Sequence, residues 1–168
     1  EGRKRVITSA WKGLTHDLRP PVRGGHPICD GTFPFALPVR DVDTGPDDCA
    51  AGWSACREPH TALRIAGLWP NGRPSRLLHV ETDAEVIERG DKLRASTWTL
   101  VREATDAEVR EAVHAMSAPF GDLRDAMLVE QMAWRHALGR PKHDVAVVAA
   151  SLRDALAERG LKYELRDF

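Results

Sequence analysis

Apolar and polar residues alternate in short runs through the first two thirds of the chain and recur at helical spacing in the last third. Residues 5–14, RVITSAWKGL, carry Val6, Ile7, Thr8 and Trp11 in a run closed by Gly13, and such β-branched and aromatic side chains favour a strand. SRLLHVET at 75–82 is the clearest strand. In DKLRASTWTLVRE, 91–103, Leu93, Ala95, Thr97, Thr99 and Val101 alternate with Lys92, Arg94, Ser96, Trp98 and Leu100, the pattern of a strand covered on both faces. These two segments are expected to pair through the connection ERGD at 88–91.

The period then changes. HTALRIAGLW, 60–69, sets Ala62, Leu63 and Ala66 on one helical face with Gly67 as a stop. At 105–116, Thr105 with Glu108 three residues on forms a capping box that satisfies two orphan amides at once. A broad apolar stripe at 121–139 ends at Gly139, and Val145, Val148, Leu152 and Leu156 mark a further helix at 144–159, closed by Gly160. LKYELRDF, 161–168, alternates again and suits a final strand. The fold class expected is α+β, a small, mostly antiparallel sheet covered by three C-terminal helices. It forms one domain over 1–168: a sheet-rich part with the site at 1–104, a helical part at 105–160 and the strand at 161–168.

One region breaks both periods. Residues 19–59 hold most of the chain's eleven prolines, with Gly24-Gly25 and DVDTGPDD among them. Proline fixes φ and removes a ladder donor, so loops are expected there, with FPFALPV at 33–39 as an edge strand. Loops of that length in a small domain commonly carry function.

Bulk numbers narrow the class of protein. A chain of 168 residues buries enough surface to need no covalent staples. Its 42% hydrophobic and 29% charged fractions are those of a soluble globular protein, and no apolar run approaches the roughly 18 residues of a membrane span. No membrane partner is expected, and without a leader-like run a cytoplasmic location is. The net charge of −1 argues against nucleic acid as a partner. Cys29, Cys49 and Cys56 are an odd number of thiols and are expected to be reduced.

Candidate chemistry gathers at CAAGWSAC, 49–56. Zinc could draw on Cys49, Cys56 and His60 with Cys29 or His26, but six residues separate the two cysteines where structural sites use about two to four, so no metal is expected. A nucleophilic Cys56 would need His60 or His79 as base and an electropositive setting. The third reading is a strand entering a binding cleft. Gly52 then admits close backbone approach, and alternation puts Trp53 and Ser54 on opposite faces. Ser54 is expected to face the ligand beside Lys12 of the first strand, with Trp53 packed inward.

CAAGWSACREP, with AWKGL before it and GDKLRAS and LVRE after it, resembles a family of small uncharacterised phage and actinobacterial proteins with the pattern C-x-x-G-[aromatic or aliphatic]-H-A-C-x-x-P. Ser54 stands where that pattern has histidine. A more distant similarity is to compact ADP-ribosyltransferase-like domains, in which AWKGL, GWSACREPHTALRIA and LVRE would fall in the same order. That resemblance implies an NAD-dependent transferase, with NAD as the cofactor, Lys12, Gly52 and Trp53 binding it, and Ser54 and Glu103 as catalytic residues. Glu103 or Glu81 would supply the carboxylate that binds ribose or steadies an oxocarbenium ion. The function expected is therefore a small enzyme-like domain holding a nucleotide or similar small molecule in a cleft. The alternatives are a non-catalytic module that docks a protein partner and a biosynthetic or phage-encoded enzyme of unrelated chemistry.

Overall fold

The structure is a computed structural model that describes residues 6–22, 24–46, 51–67 and 75–118, together with Asp154, Ala157 and Glu158. The strands are β1 (Thr8–Leu14), β2 (Phe35–Ala36), β3 (Trp53–Cys56), β4 (Arg76–Thr82), β5 (Ile87–Arg89), β6 (Lys92–Ala95) and β7 (Thr99–Glu103). Helices α1 (Pro59–Ala66) and α2 (Asp106–Ser117) complete the described elements. The strands form one sheet in the order β2-β7-β4-β1-β3-β6-β5, every pairing antiparallel, and the fold class is α+β.

Cross-strand partners share a face, so the register sorts the side chains. One face gathers Ala10 and Leu14 of β1, Trp53 and Ala55 of β3, Leu78 and Val80 of β4, and Leu93 and Ala95 of β6 into the main core. Leu18 and the proline-rich region after it close this face: Leu18, Cys29 and Leu37 are buried in the same cluster, with Phe33 and Phe35 against it. Among the described residues, loops form the second layer here, because proline-fixed backbone holds isolated apolar side chains inward without needing ladder partners.

The opposite face carries α1. A Cβ on Gly13 would come within 2.5 Å of the Ala62 carbonyl oxygen and 2.7 Å of Ala66 Cβ, so only glycine lets the helix seat so close to β1. Ala62, Leu63 and Ala66 are the buried stripe of α1. Helix α2 packs on α1 and buries Val109, Ala112, Val113 and Met116. Each large apolar side chain removed from water in this way contributes roughly 1.5–3 kcal/mol. The expected capping box is present: Glu108 N donates to Thr105 Oγ1 at 3.2 Å, and Thr105 N donates to Glu108 Oε2 at 2.8 Å.

Two expectations are corrected. Residues 91–103 are not one strand but two, β6 and β7, which lie on opposite sides of the β4–β1–β3 core of the sheet. Between them the chain crosses the core face. Trp98 is fully buried there and donates its indole N–H to the Trp53 carbonyl at 3.0 Å, while Thr97 Oγ1 donates to the Leu37 carbonyl at 2.6 Å. Alternation persists through such a crossing, so the pattern alone joins what hydrogen bonding separates. The ERGD turn therefore closes the β5–β6 hairpin, and β4 pairs only with the second half of the segment, β7.

FPFALPV contributes its edge strand as the two-residue β2 against β7. The expected helix at 121–139 and strand at 161–168 lie outside the described residues. Of the expected helix at 144–159, Asp154, Ala157 and Glu158 are described, and all three are helical and exposed. Among the described residues no helix is long and apolar enough to cross a membrane.

Candidate functional site

Strands β1 and β3 are neighbours in the sheet but pair at a single position, Trp11 with Cys56. Beyond it, Lys12–Leu14 and Trp53–Ala55 diverge. An open cleft of about 590 Å³ occupies the divergence, walled by Lys12, Gly13, Gly52, Trp53, Ser54 and Cys56. Pro20–Val22, Gly24–Ile28, Pro38 and Arg40 form its rim, and Ala62 and Ile65 of α1 close its back. The volume lies within the usual range for small-molecule sites.

Lys12 bridges the gap. Its Nζ donates to the Ser54 backbone carbonyl at 2.6 Å, so a side chain serves an acceptor beside the broken ladder. Burial, with Arg40 nearby, pulls the Lys12 ammonium down from the ordinary lysine range to about 8, against an opposing pull from Cys56. The Cys56 thiol moves the other way. Burial first, and Asp91 second, push it up to about 11, so it stays protonated at neutral pH and lacks the thiolate that nucleophilic catalysis needs. Neither His60 nor His79 lines the cleft. His79 instead packs edge-on against Trp11, their ring centroids 5.2 Å apart.

Arg40 lies flat on the Trp53 ring, its guanidinium carbon 3.5 Å from the ring centroid, and the Lys12 ammonium is 5.9 Å from the same centroid. Cation–π attraction holds both cations without neutralising them. No hydrogen bond or ion pair from a described residue engages the exposed Arg40 guanidinium, so its planar fork of donors faces the cleft mouth unspent. Lys92 and His26 add further basic groups to the wall, and no Asp or Glu lines the cleft among the described residues. The cleft is a cation-lined groove beside an indole.

The residues singled out in the sequence are partly brought together. Lys12, Gly52, Trp53 and Ser54 all line the cleft. Trp53 packs inward as expected, whereas the settings of Lys12, Ser54 and Gly52 differ from expectation. Lys12 pairs with Leu78 and so projects toward the core face, whereas Ser54 shares the face of Cys56 and Trp11; the two meet through the Ser54 carbonyl, not through side chains. Trp53 packs inward, only 5% exposed, with Nε1 donating to the Pro38 carbonyl at 2.7 Å and one ring face under Arg40, so it is a platform for a cation rather than an open surface for a base. Gly52 has φ +117, and a Cβ there would press on the Arg94 side chain at 3.1 Å, so glycine is required by this strand's own packing.

Glu103 is placed elsewhere. It forms a bidentate pair with Arg76, at 3.0 Å from Nε and 2.9 Å from Nη2, two strands away from the cleft. Glu81 sits on β4 opposite Ser9 and also lies off the cleft wall. Cys29 and Cys56 are free and buried, and Cys49 lies outside the described residues. Among the described residues no group of three His, Cys, Asp or Glu side chains is arranged to hold a metal ion.

Sequence reasoning missed Arg40 and Lys92. The only signal for Arg40 was its place in the proline-rich loops, which were expected to carry function as a class. No protein-family model, curated protein or solved structure matches this chain.

Proposed function

We propose that the β1–β3 cleft binds a phosphate-bearing small molecule of nucleotide size. The observation that carries this reading is the charge of the cleft: Lys12, Arg40 and Lys92 converge on about 590 Å³ with no carboxylate among the described lining residues. Partial burial strengthens each attraction, since the effective dielectric in a groove is well below that of water. Arg40 is the natural phosphate grip, because its fork fits two phosphate oxygens and the Trp53 ring already holds it flat. The Ser54 hydroxyl is exposed on the cleft wall and adds a neutral donor and acceptor.

Transfer of ADP-ribose is not part of this proposal. That reaction asks for a carboxylate beside the bound ribose, and Glu103 is committed to Arg76 away from the cleft. Binding is tested by thermal unfolding with ADP-ribose, ADP and adenosine. The phosphorylated compounds at about 100 times Kd are expected to stabilise the fold by about 2.7 kcal/mol, with adenosine giving much less. Arg40→Ala is expected to weaken ADP binding by about tenfold or more, the loss of one charge-assisted contact. No stabilisation by either phosphorylated compound would sink the reading and put the protein-docking alternative ahead.

A further inference from the structure

Lys12 differs in its setting from an ordinary surface lysine. It is half-buried in the cleft wall and has no ion pair with a described residue, unlike the arginines of the pairs Arg19–Asp17, Arg57–Glu88, Arg76–Glu103 and Arg102–Glu108. Its polar contact is the Ser54 carbonyl at 2.6 Å. A carbonyl accepts an N–H from a neutral amine as well as, more strongly, from an ammonium, so the contact survives in weaker form when Lys12 loses a proton.

The groups around it favour that loss. Arg40 from the loop after β2 and Lys92 from β6 are cationic, His26 sits on the rim, and Cys56 on β3, which opposes the loss when ionised, is a protonated thiol at neutral pH, so among the described lining residues no carboxylate holds the proton on. Burial takes the ammonium to about 8, which leaves about a tenth of Lys12 as free amine at pH 7. Desolvation next to another cation is a recognised way of making a lysine nucleophilic.

From this geometry we infer that Lys12 forms an imine with an aldehyde or ketone that carries a phosphate, the phosphate being held by Arg40. The inference rests on the same cleft as the binding reading and adds covalent chemistry to it. The Lys12 Nζ lone pair adds to the carbonyl carbon, the C=O π pair moves to oxygen, and a proton passes from nitrogen to that oxygen. Loss of the oxygen as water, with a second proton from nitrogen, leaves the C=N bond. Nothing is oxidised or reduced, and water is the only leaving group.

The test uses pyridoxal 5′-phosphate as the phosphorylated aldehyde, pyridoxal as its phosphate-free counterpart, and borohydride to fix any imine on the full-length protein. Peptide mass spectrometry of the wild type is expected to place the label on Lys12 at least about tenfold over the other lysines, Lys4, Lys92, Lys142 and Lys162. Labelling should rise with pH around a midpoint near 8. Arg40→Ala should lower labelling by pyridoxal 5′-phosphate several-fold more than it lowers labelling by pyridoxal, because it removes the phosphate grip as well as a neighbouring charge, and Lys12→Arg should abolish the preferred site while retaining the charge.

Label spread evenly over the lysines would overturn the inference, as would a midpoint near the roughly 10.4 of an exposed lysine. The wild-type mapping decides this even if a variant fails to fold. If ADP stabilises the protein and Lys12 stays unlabelled, the imine falls and the binding reading stands. The converse result leaves the imine and removes the nucleotide.

Discussion

Along its β4 edge, strand β1 is paired at all seven of its residues, from Thr8 with Thr82 to Leu14 with Arg76, whereas along its β3 edge Trp11 alone has a partner, Cys56. The same strand therefore builds a wall on one side and a doorway on the other. On the β4 edge backbone groups satisfy each other, and flanking ion pairs such as Arg76–Glu103 and Arg102–Glu108 add to a closed structure. On the β3 edge, divergence leaves space that side chains of both strands enter. The cleft is made by pairing left undone, and the residues that touch it are those at which the ladder stops.

The sharpest way to break this contrast is through Trp98, which ties the crossing segment to the Trp53 carbonyl at the start of β3. Trp98→Ala should destabilise the fold by about 3–5 kcal/mol in urea unfolding, and a loss under about 1 kcal/mol would show that the crossing does not anchor β3. Gly13→Ala comes next. The added methyl would meet α1 backbone at 2.5 Å, so the helix that backs the cleft must shift, at a cost of about 1–3 kcal/mol. Unchanged stability together with unchanged ligand binding would mean that α1 is not seated by this contact.

The closed side is probed by acid. Bidentate bonding from Arg102, helped by the Thr105 amide, holds the Glu108 carboxyl down at about 2 in the folded protein, below the 4.5 of the free group. A depressed carboxyl contributes stability that is complete above about 4.5 and lost as pH falls toward 2. Glu108→Gln should flatten that part of the stability–pH curve, with an effect at neutral pH under about 1 kcal/mol because the pair is partly solvated. A curve identical to wild type between these values would remove the clamp from the account. Ser54→Ala should move stability least, by no more than about 0.5 kcal/mol, since the side chain is exposed. A larger loss by the same urea measurement would mean that the hydroxyl holds β3 in place.

Much of this was legible in the sequence. The strand at SRLLHVET, the helix at Ala62–Ala66 and the Thr105–Glu108 capping box follow from local chemistry, and local chemistry is what a sequence displays directly. Lys12, Gly52, Trp53 and Ser54 could be placed near one cleft because Gly52 and the alternation after it act within a few residues. The break at Ser96–Trp98 could not be read, because it is decided by a bond to Leu37 and another to Trp53, both distant in the chain. Arg40 was equally hidden: its importance lies in the ring it rests on, thirteen residues away in sequence. The pairing of Glu103 with Arg76 was hidden for a related reason, since a carboxylate at a strand end looks the same in sequence whether it faces a ligand or an arginine.

The Arg40–Trp53 stack has an optical consequence. Indole emission responds to a charge held over the ring, and here that charge lies 3.5 Å from the centroid while the ring's own N–H is fixed to Pro38. An anion that draws the guanidinium away would alter the emission of Trp53 without moving the indole. Of the two described tryptophans that line the cleft, Trp53 carries its cation closer, at 3.5 Å against 6.0 Å for Arg102 over Trp11, so an anion entering the groove should register first in Trp53 emission.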